Sequence, residues 1–587
     1  MSLAGLPVFD DGRLVEIIPL SNSADPDSNK DAPLKVGFVN GFLSLSLGGA
    51  PSVKYTYQSG GSQINVASND GPLLIFYDDR IGDSILEGGK LGDFIYGGSG
   101  NDILRGGEGD DTLMGNLGIN IIQGGSGSNT ASYVGYDGPN SPDTLGVEVF
   151  LDEREAYNKE GFVFYDTLVD IQNVVGTRFI DLLVGDAGDN ILEGLNGADV
   201  IRGGPGIDTS SYETSPFSVD VNLTTNINNG GDAWGDILER IENLRGSRQD
   251  DILTGDAKAN VLEGGEEADR LFGVGGSYTA SYEHSLLGVT VNLKLGTNTG
   301  GDAQGDTLTN IENLRGSRYE DVLIGDSGVN ILTGLAGSDT LRGMGGADTL
   351  SGGDGNDQLI ATGGGSSVYG GGGTDKLLLQ GADTFTFIET TFDGIEAVYV
   401  AKGATLDLTL ITSGVNITSQ SAIGTSVTIT GTQGADGVAA GKGSDLIHGG
   451  AGNDTIKGGS GYALLFGDDG IDTIRAGANG ARMDGGVSGD RLYGGAASDT
   501  FVFGGDIGQD NVYNFQSGSD HLDVSALVDS ILDVNTRVLN GGKDTLVTFD
   551  GVDPAIKIVL RGVSSVKASD FDFGTQPTAL VHHDWAV

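Results

Sequence analysis

The sequence predicts an all-β protein, a parallel β-roll or β-helix of stacked nonapeptide coils with β-strand inserts and a C-terminal cap. Three observations predict it: glycine in fixed clusters, an apolar residue at every ninth place, and a strong acidic excess without cysteine. The chain has 103 Gly against 12 Pro among 587 residues and a hydrophobic fraction of 37%, too glycine-rich for an ordinary globule and too apolar for a disordered chain. Collagen would place glycine at every third residue, whereas GGSGNDILRGGEGDDTLM gathers it and then omits it for several residues. Flexible linkers do not hold an apolar residue at a constant interval.

The nonapeptides run in register from Gly88 to Ser132, Gly176 to Ser211, Gly246 to Phe272, Gly316 to Leu378 and Gly431 to Val502. The clearest are GGSGNDILR (Gly97 to Arg105), GGEGDDTLM (Gly106 to Met114), GGDGNDQLI (Gly352 to Ile360) and GGAGNDTIK (Gly449 to Lys457), each reading Gly-Gly-x-Gly-x-Asp-x-U-x with U apolar. Glycines at positions one, two and four reach backbone angles closed to other residues and let carbonyl oxygens converge. Asp at position six adds a carboxylate, and x-U-x is a short strand with its middle side chain turned inward. Two nonads make one coil, so like turns stack along each edge at about 4.8 Å.

The formal net charge is −50, from 32 Lys and Arg against 82 Asp and Glu. Such self-repulsion opposes compaction unless something cationic binds, and it argues against nucleic acid as a partner. With no cysteine, neither disulfides nor thiolate metal sites can supply stability. What remains is a hard cation that prefers oxygen, and calcium fits between stacked turns.

On these repeats the sequence resembles the RTX (repeats-in-toxin) secreted bacterial proteins. The resemblance implies a calcium-binding β-roll in which position-six Asp and turn carbonyls hold Ca²⁺. The matching residues are Asp93, Asp102, Asp111, Asp181, Asp199, Asp208, Asp251, Asp269, Asp321, Asp339, Asp348, Asp357, Asp375, Asp436, Asp445, Asp454, Asp472, Asp490 and Asp499. Turn glycines of the best units, Gly98, Gly100, Gly107, Gly109, Gly353, Gly355, Gly450 and Gly452, join them. Asn120, Asn129, Asn190, Asn260, Asn330, Ser366, Ala463 and Ala481 stand at position six elsewhere, so those turns are expected to bind weakly or only to stack. In the tract from Gly431, one edge carries Asp436, Asp454, Asp472 and Asp490 and the other Asp445, Ala463, Ala481 and Asp499. Metal is therefore expected on the first edge.

A longer period of 70 residues overlies the nonads: IENLRGSR at Ile241 to Arg248 and Ile311 to Arg318, with IQNVVGTR at Ile171 to Arg178. Ser211-Tyr212 and Ser281-Tyr282, strands VDVNL (Val219 to Leu223) and VTVNL (Val289 to Leu293), and GGDAWGD (Gly230 to Asp236) and GGDAQGD (Gly300 to Asp306) recur with it. Their alternation reads as half-buried strand that extends or caps the roll. Trp234 is either a sugar or partner site or a cover for a strand edge; its equivalent Gln304 favours the cover.

The expected organisation is a leader at 1–78, a roll tract at 79–133, tracts with inserts at 134–378, a β-rich connector at 379–430, a tract at 431–502 and a cap at 503–587. The N-terminus lacks a basic region followed by an apolar core, and no run approaches membrane-spanning length. Residues Ala497 to Leu527 are similar to the cap of RTX proteins such as the serralysin proteases, and Asp584-Trp585-Ala586-Val587 resembles the terminal signature of type I secretion substrates. The resemblance implies a type I exporter, a Gram-negative source and an extracellular or cell-surface location.

An enzyme is the rival reading. None of the five histidines (His284, His448, His521, His582, His583) begins H-E-x-x-H, there is no G-x-S-x-G elbow, and the leader is too short for a sizeable catalytic core. The expected function is non-enzymatic: a secreted calcium-binding protein that folds outside the cell, with a surface-layer, adhesin or matrix role. Its other partners would be the cell surface, polysaccharide or itself.

Overall fold

The computed structural model describes residues 83–135, 146–158, 164–505 and 507–574, and the backbone of seven short strands before residue 83. The leader's side chains, His582, His583 and the signature Asp584 to Val587 lie outside the described residues. Two compact units divide the chain, Met1–Ser285 with Gly301–Ile311 and Leu286–Gly300 with Glu312–Val587.

In the first unit each nonad contributes one short rung centred on position eight, and in Ile103–Glu108 and Gly118–Ser126 the strand runs on into the following turn. Rungs pair in parallel with those two nonads away, Leu104 with Leu86 and Ile122, and Leu113 with Ile95 and Ala131. Position eight thus forms two internal columns, and all six of these side chains are fully buried. Burying one Leu or Ile contributes about 1.5–3 kcal/mol, and the repeat collects it once per nonad. A hairpin, Val147–Phe150 with Glu155–Asn158, interrupts the coils and returns through Phe164–Val169, which pairs in parallel with Gly118–Ser126. The first 70-residue insert adds Asp220–Asn222 as a parallel rung beside Ile252–Thr254.

The second unit holds a 16-stranded sheet from Thr297–Thr299 to Val534–Leu539 and a nine-stranded sheet from Thr384–Ile388 to Phe571–Asp572. Along the larger sheet one internal column runs through Leu323, Leu341, Leu359, Leu377, Val398, Ile417, Val438, Ile456, Ile474, Leu492, Val512 and Leu560. The segment 379–430 keeps this register while its coils grow longer than the nonad pair: Leu377 meets Val398, and Val398 meets Ile417. Lys557–Arg561 still pairs in parallel with Gln509–Tyr513; beyond it Asp544–Phe549 and then Val534–Leu539 pair antiparallel at the end of the sheet. VTVNL contributes Thr290–Asn292, paired in parallel with Val322–Ile324. No helix among the described residues is long and apolar enough to cross a membrane.

Candidate calcium site: carboxylate columns along the turns

Every position-six Asp named above is buried. One carboxylate oxygen of each stacked Asp accepts the backbone N–H of the residue one coil earlier. Asp93 N donates to Asp111 Oδ1 at 2.7 Å, Asp339 N to Asp357 Oδ1 at 2.8 Å, and Asp472 N to Asp490 Oδ1 at 2.7 Å. The Asp carbonyl accepts the position-seven N–H of the next coil, as Asp93 O does from Thr112 N at 2.7 Å. One residue type thus stitches both the turn and the rung.

The second oxygen divides the turns into two kinds. In Asp102, Asp111, Asp199, Asp208, Asp269, Asp339, Asp348, Asp357, Asp375, Asp454, Asp472 and Asp490, Oδ2 is buried and has no hydrogen-bond partner. A lone buried carboxylate oxygen is costly. It also lies where a Cβ on position one would go: 2.0 Å from that point at Gly106 and 2.3 Å at Gly467, with the Gly485 carbonyl equally near at 2.3 Å. Acceptors without protons converge, which is the donor set of a hard cation. The glycines at positions two and four, Gly98, Gly100, Gly107, Gly109, Gly353, Gly355, Gly450 and Gly452, all have positive φ, between 93° and 151°. At Gly107 a side chain would also meet the Gly89 carbonyl at 2.2 Å. No three carboxylate or imidazole groups converge on one point among the described residues, so a cation here must draw its remaining ligands from backbone carbonyls.

Burial, and then the next carboxylates in the column, push these acids up: Asp472 to about 8, Asp111 to about 7, and Asp199 and Asp269 to about 9. Without a cation the columns hold their protons to higher pH than a free carboxyl does.

The remaining turns satisfy themselves. At Asp181, Asp251, Asp321 and Asp436, a Thr or Ser at position two donates its N–H to Oδ2; Thr177 N does so at 2.6 Å and Ser317 N at 2.6 Å. The same residue's hydroxyl reaches Oδ1. In the first three this is the chemistry of the G-[ST]-R in the 70-residue motif, while the fourth reads Gly431-Thr432-Gln433, and each such turn opens a tract. Backbone N–H groups of Gly89, Gly441 and Gly495 play the same part for Asp93, Asp445 and Asp499.

Asn turns are sealed differently. Asn190 accepts Asp186 N at 2.8 Å and donates Nδ2 to Gln172 O at 2.7 Å, and Asn260 repeats this with Asp256 and Glu242 at 2.8 and 2.7 Å. Asn330 follows with Asp326 and Glu312 at 2.9 and 2.7 Å. The amide N–H stands where a carboxylate would leave a bare oxygen. On the second edge of the last tract the Asp ladder lapses at Ala463 and resumes where Ala481 N donates to Asp499 Oδ1 at 2.8 Å. The first edge runs unbroken from Asp436 through Asp454, Asp472 and Asp490 to Asp510.

Several members of the columns lie outside the nonad pattern. Asp236 and Asp306 accept Asp199 N and Asp269 N at 2.8 and 2.9 Å, and their other oxygens take the hydroxyls of the buried Tyr212 and Tyr282 at 3.1 and 3.0 Å. Asp166 takes the Asn120 amide at 2.7 Å, and Asp510 and Asp520 extend the columns past the last tract. Each begins an Asp-x-U triplet, DTL, DIL, DTL, DNV and DHL in chain order; that triplet, read without the glycines, was the available signal. Trp234, the candidate edge cover, is instead 72% exposed.

The RTX calcium-binding nonapeptide repeat family matches residues 87–122, 114–132, 175–209, 245–280, 309–341, 324–359, 351–383 and 430–463. No curated protein matches the chain. Among solved structures, the AlgE6R3 subunit of the Azotobacter vinelandii mannuronan C5-epimerase is similar at 24% identity, over 26% of this chain and 82% of that one, with a TM-score of 0.16. Extracellular lipase LipA from Serratia marcescens is similar at 14% identity, over 86% of this chain and 40% of the lipase, with a TM-score of 0.12. The stacked Gly-Gly-x-Gly-x-Asp tracts of this chain are RTX calcium-binding nonapeptide repeats, and the ligand of such repeats is Ca²⁺.

Proposed function

We propose that this is a secreted, non-enzymatic scaffold that leaves the cell unfolded through a type I exporter and folds on meeting calcium outside. Its role is then that of a surface-layer, adhesin or matrix component. The observation that carries the reading is the column of buried, partnerless Asp Oδ2 atoms. The metal-bearing turns are those of Asp102, Asp111, Asp199, Asp208, Asp269, Asp339, Asp348, Asp357, Asp375, Asp454, Asp472 and Asp490, while the self-satisfied turns stack without metal.

Ligand binding stabilises the folded state by mass action. A site at ten times its Kd adds about 1.4 kcal/mol, so about ten sites supply the whole usual stability of a domain. Extracellular calcium modules bind with Kd on the order of 10⁻⁴–10⁻³ M, weak enough to stay empty inside a cell.

The test is circular dichroism of chelated protein titrated with calcium. A coil spectrum that gains strand signal cooperatively near millimolar calcium is expected; a strand spectrum indifferent to calcium would refute linked folding. Fractionating a culture between cell surface and medium then separates an anchored from a free scaffold.

A further inference from the structure

We infer that a calcium ion sits at the base of the first 70-residue insert, between the carboxylates of Glu193 and Asp232 and outside the nonapeptide turns. Such a site is independent of the route of export and of any partner outside the cell.

The two inserts place the same acids in the same register and differ in what neutralises them. Glu193 and Glu263 end equivalent rungs, and across the coil Glu263 faces Arg245 whereas Glu193 faces Val175. In the second insert Arg245 Nε lies 3.3 Å from Glu263 Oε2, and His284 Nδ1 lies 2.8 Å from Glu263 Oε1. In the first, Val175 stands for the arginine and Thr214 for the histidine. Thr214 gives Glu193 Oε1 two neutral hydrogen bonds, from N at 3.1 Å and from Oγ1 at 2.5 Å. Among the described residues no cation pairs with Glu193. Glu213 is already engaged, 3.3 Å from Arg245 Nη1.

The second carboxylate comes from the insert itself. In GGDAWGD the backbone turns at Gly230 and Gly231, with φ of 72° and 42°, and Asp232 N then donates to Ser215 Oγ at 3.1 Å. Thr214 holds Glu193 and Ser215 holds Asp232, so two adjacent residues bring the acids to one place. Both acids are only 7% exposed. The Asp232 carboxylate makes no hydrogen bond or ion pair with any described residue, and a buried carboxylate without a partner is costly. Burial first, then the charges of Glu213 and Asp232, hold the Glu193 carboxyl up at about 7 against the hydrogen bonds from Thr214. Glu263 falls below its ordinary value despite its burial, through the His284 hydrogen bond and the Arg245 charge.

The first insert therefore lacks a cation that the second carries in its own chain. Oxygen surrounds the gap: a Cβ on Gly231 would lie 2.5 Å from the Ser215 hydroxyl and 2.6 Å from the Phe217 carbonyl. All-oxygen surroundings suit a hard ion. No third carboxylate or imidazole joins the two acids among the described residues, so hydroxyl and carbonyl oxygens, with little water, must complete the shell. That favours calcium, whose shell is irregular, over magnesium, which keeps several waters and needs a near-ideal octahedron. With only two charges the site is expected to fill in the millimolar range.

Trp234 reports on this place, because it ends the short 3₁₀ turn that carries Asp232, and the chain has one other tryptophan, Trp585. The experiment uses the full chain carrying Trp585→Phe and follows terbium, a luminescent calcium mimic, excited through Trp234 while calcium or magnesium competes. Calcium is expected to displace the emission in the millimolar range and magnesium far less. Glu193→Gln/Asp232→Asn is expected to lower the Trp234-sensitised emission several-fold, with the strand spectrum and the tyrosine-sensitised emission of the turns retained. Val175→Arg/Thr214→His rebuilds the arrangement of the second insert; it is expected to lower the emission likewise, and it guards against a misfolded double-acid variant. Emission unchanged in both variants overturns the inference, since the acids then share a proton rather than an ion. Equal competition by magnesium overturns the assignment to calcium.

Discussion

Asn260 and Asp269 hold the same position in successive nonads and differ by an amide for a carboxylate oxygen, yet they leave opposite demands on the surroundings. Asn260 donates to Glu242 O at 2.7 Å and to Asp256 Oδ1 at 3.3 Å, whereas Asp269 ends in an oxygen without a partner. Asn260→Asp therefore places an acceptor against two acceptors. At subsaturating calcium this is expected to destabilise the fold by about 1–3 kcal/mol and to raise the calcium midpoint. A calcium titration followed by circular dichroism checks it, and an unchanged midpoint would show that the amide does not stand in for the cation. The Ser247 and Thr177 turns carry the same lesson in reverse: the letter Asp alone does not mark a cation site, because a position-two hydroxyl and its N–H can occupy both oxygens.

At the scale of the turn and its rung, close approach sets the tolerance. A Cβ on Gly467 would fall 2.3 Å from Asp472 Oδ2 and 2.3 Å from Gly485 O, while one on Gly275 meets nothing within 4 Å. Gly467→Ala forces the turn to shift, a cost of about 1–3 kcal/mol. It is expected to raise the calcium midpoint several-fold while Gly275→Ala leaves it unchanged; equal effects would mean that glycine acts only through chain entropy. The same sterics explain what was legible. Gly-Gly-x-Gly-x-Asp is readable because each letter answers one contact, and the register of Leu104 on Ile122 follows from period nine alone. The insert carboxylates Asp236 and Asp306 carried only the faint signal of their Asp-x-U triplets, because they enter the column after a long detour that breaks the period. The exposure of Trp234 was not readable, since it depends on where the insert's short 3₁₀ turn, Gly231–Ala233, leaves the chain. The lengthened coils after Leu377 kept their register because alternation, not glycine spacing, decides which side chains face inward.

For the whole molecule, the columns couple folding to protons as well as to calcium. Burial first, then neighbouring carboxylates, raise Asp111 and Asp339 to about 7, Asp454 to about 7 and Asp472 to about 8, against an ordinary value of 3.8. A carboxyl raised on folding takes up a proton as the chain folds. Below the unfolded value both states are protonated and the group imposes no penalty. As pH rises from about 4 through the folded values the unfolded chain ionises first, so the calcium-free fold loses stability progressively and is weakest above about pH 8. Every tenfold gain in proton affinity on folding corresponds to about 1.4 kcal/mol, and many such groups act together over the columns. Chelated protein is therefore expected to gain strand signal on acidification from pH 8 to pH 5 without any metal. Calcium, which needs the ionised form, must displace those protons, so at pH 5, where the chelated fold already holds them, more calcium is required for saturation and calcium binding to that fold releases protons. Calorimetry in buffers of differing ionisation enthalpy measures that release directly. A proton release near zero when calcium is added to the folded chelated protein at pH 5, or a chelated protein equally unfolded at pH 5 and pH 8, would mean that the folded columns do not hold their carboxylates in the buried, partnerless state described for Asp472 and its neighbours.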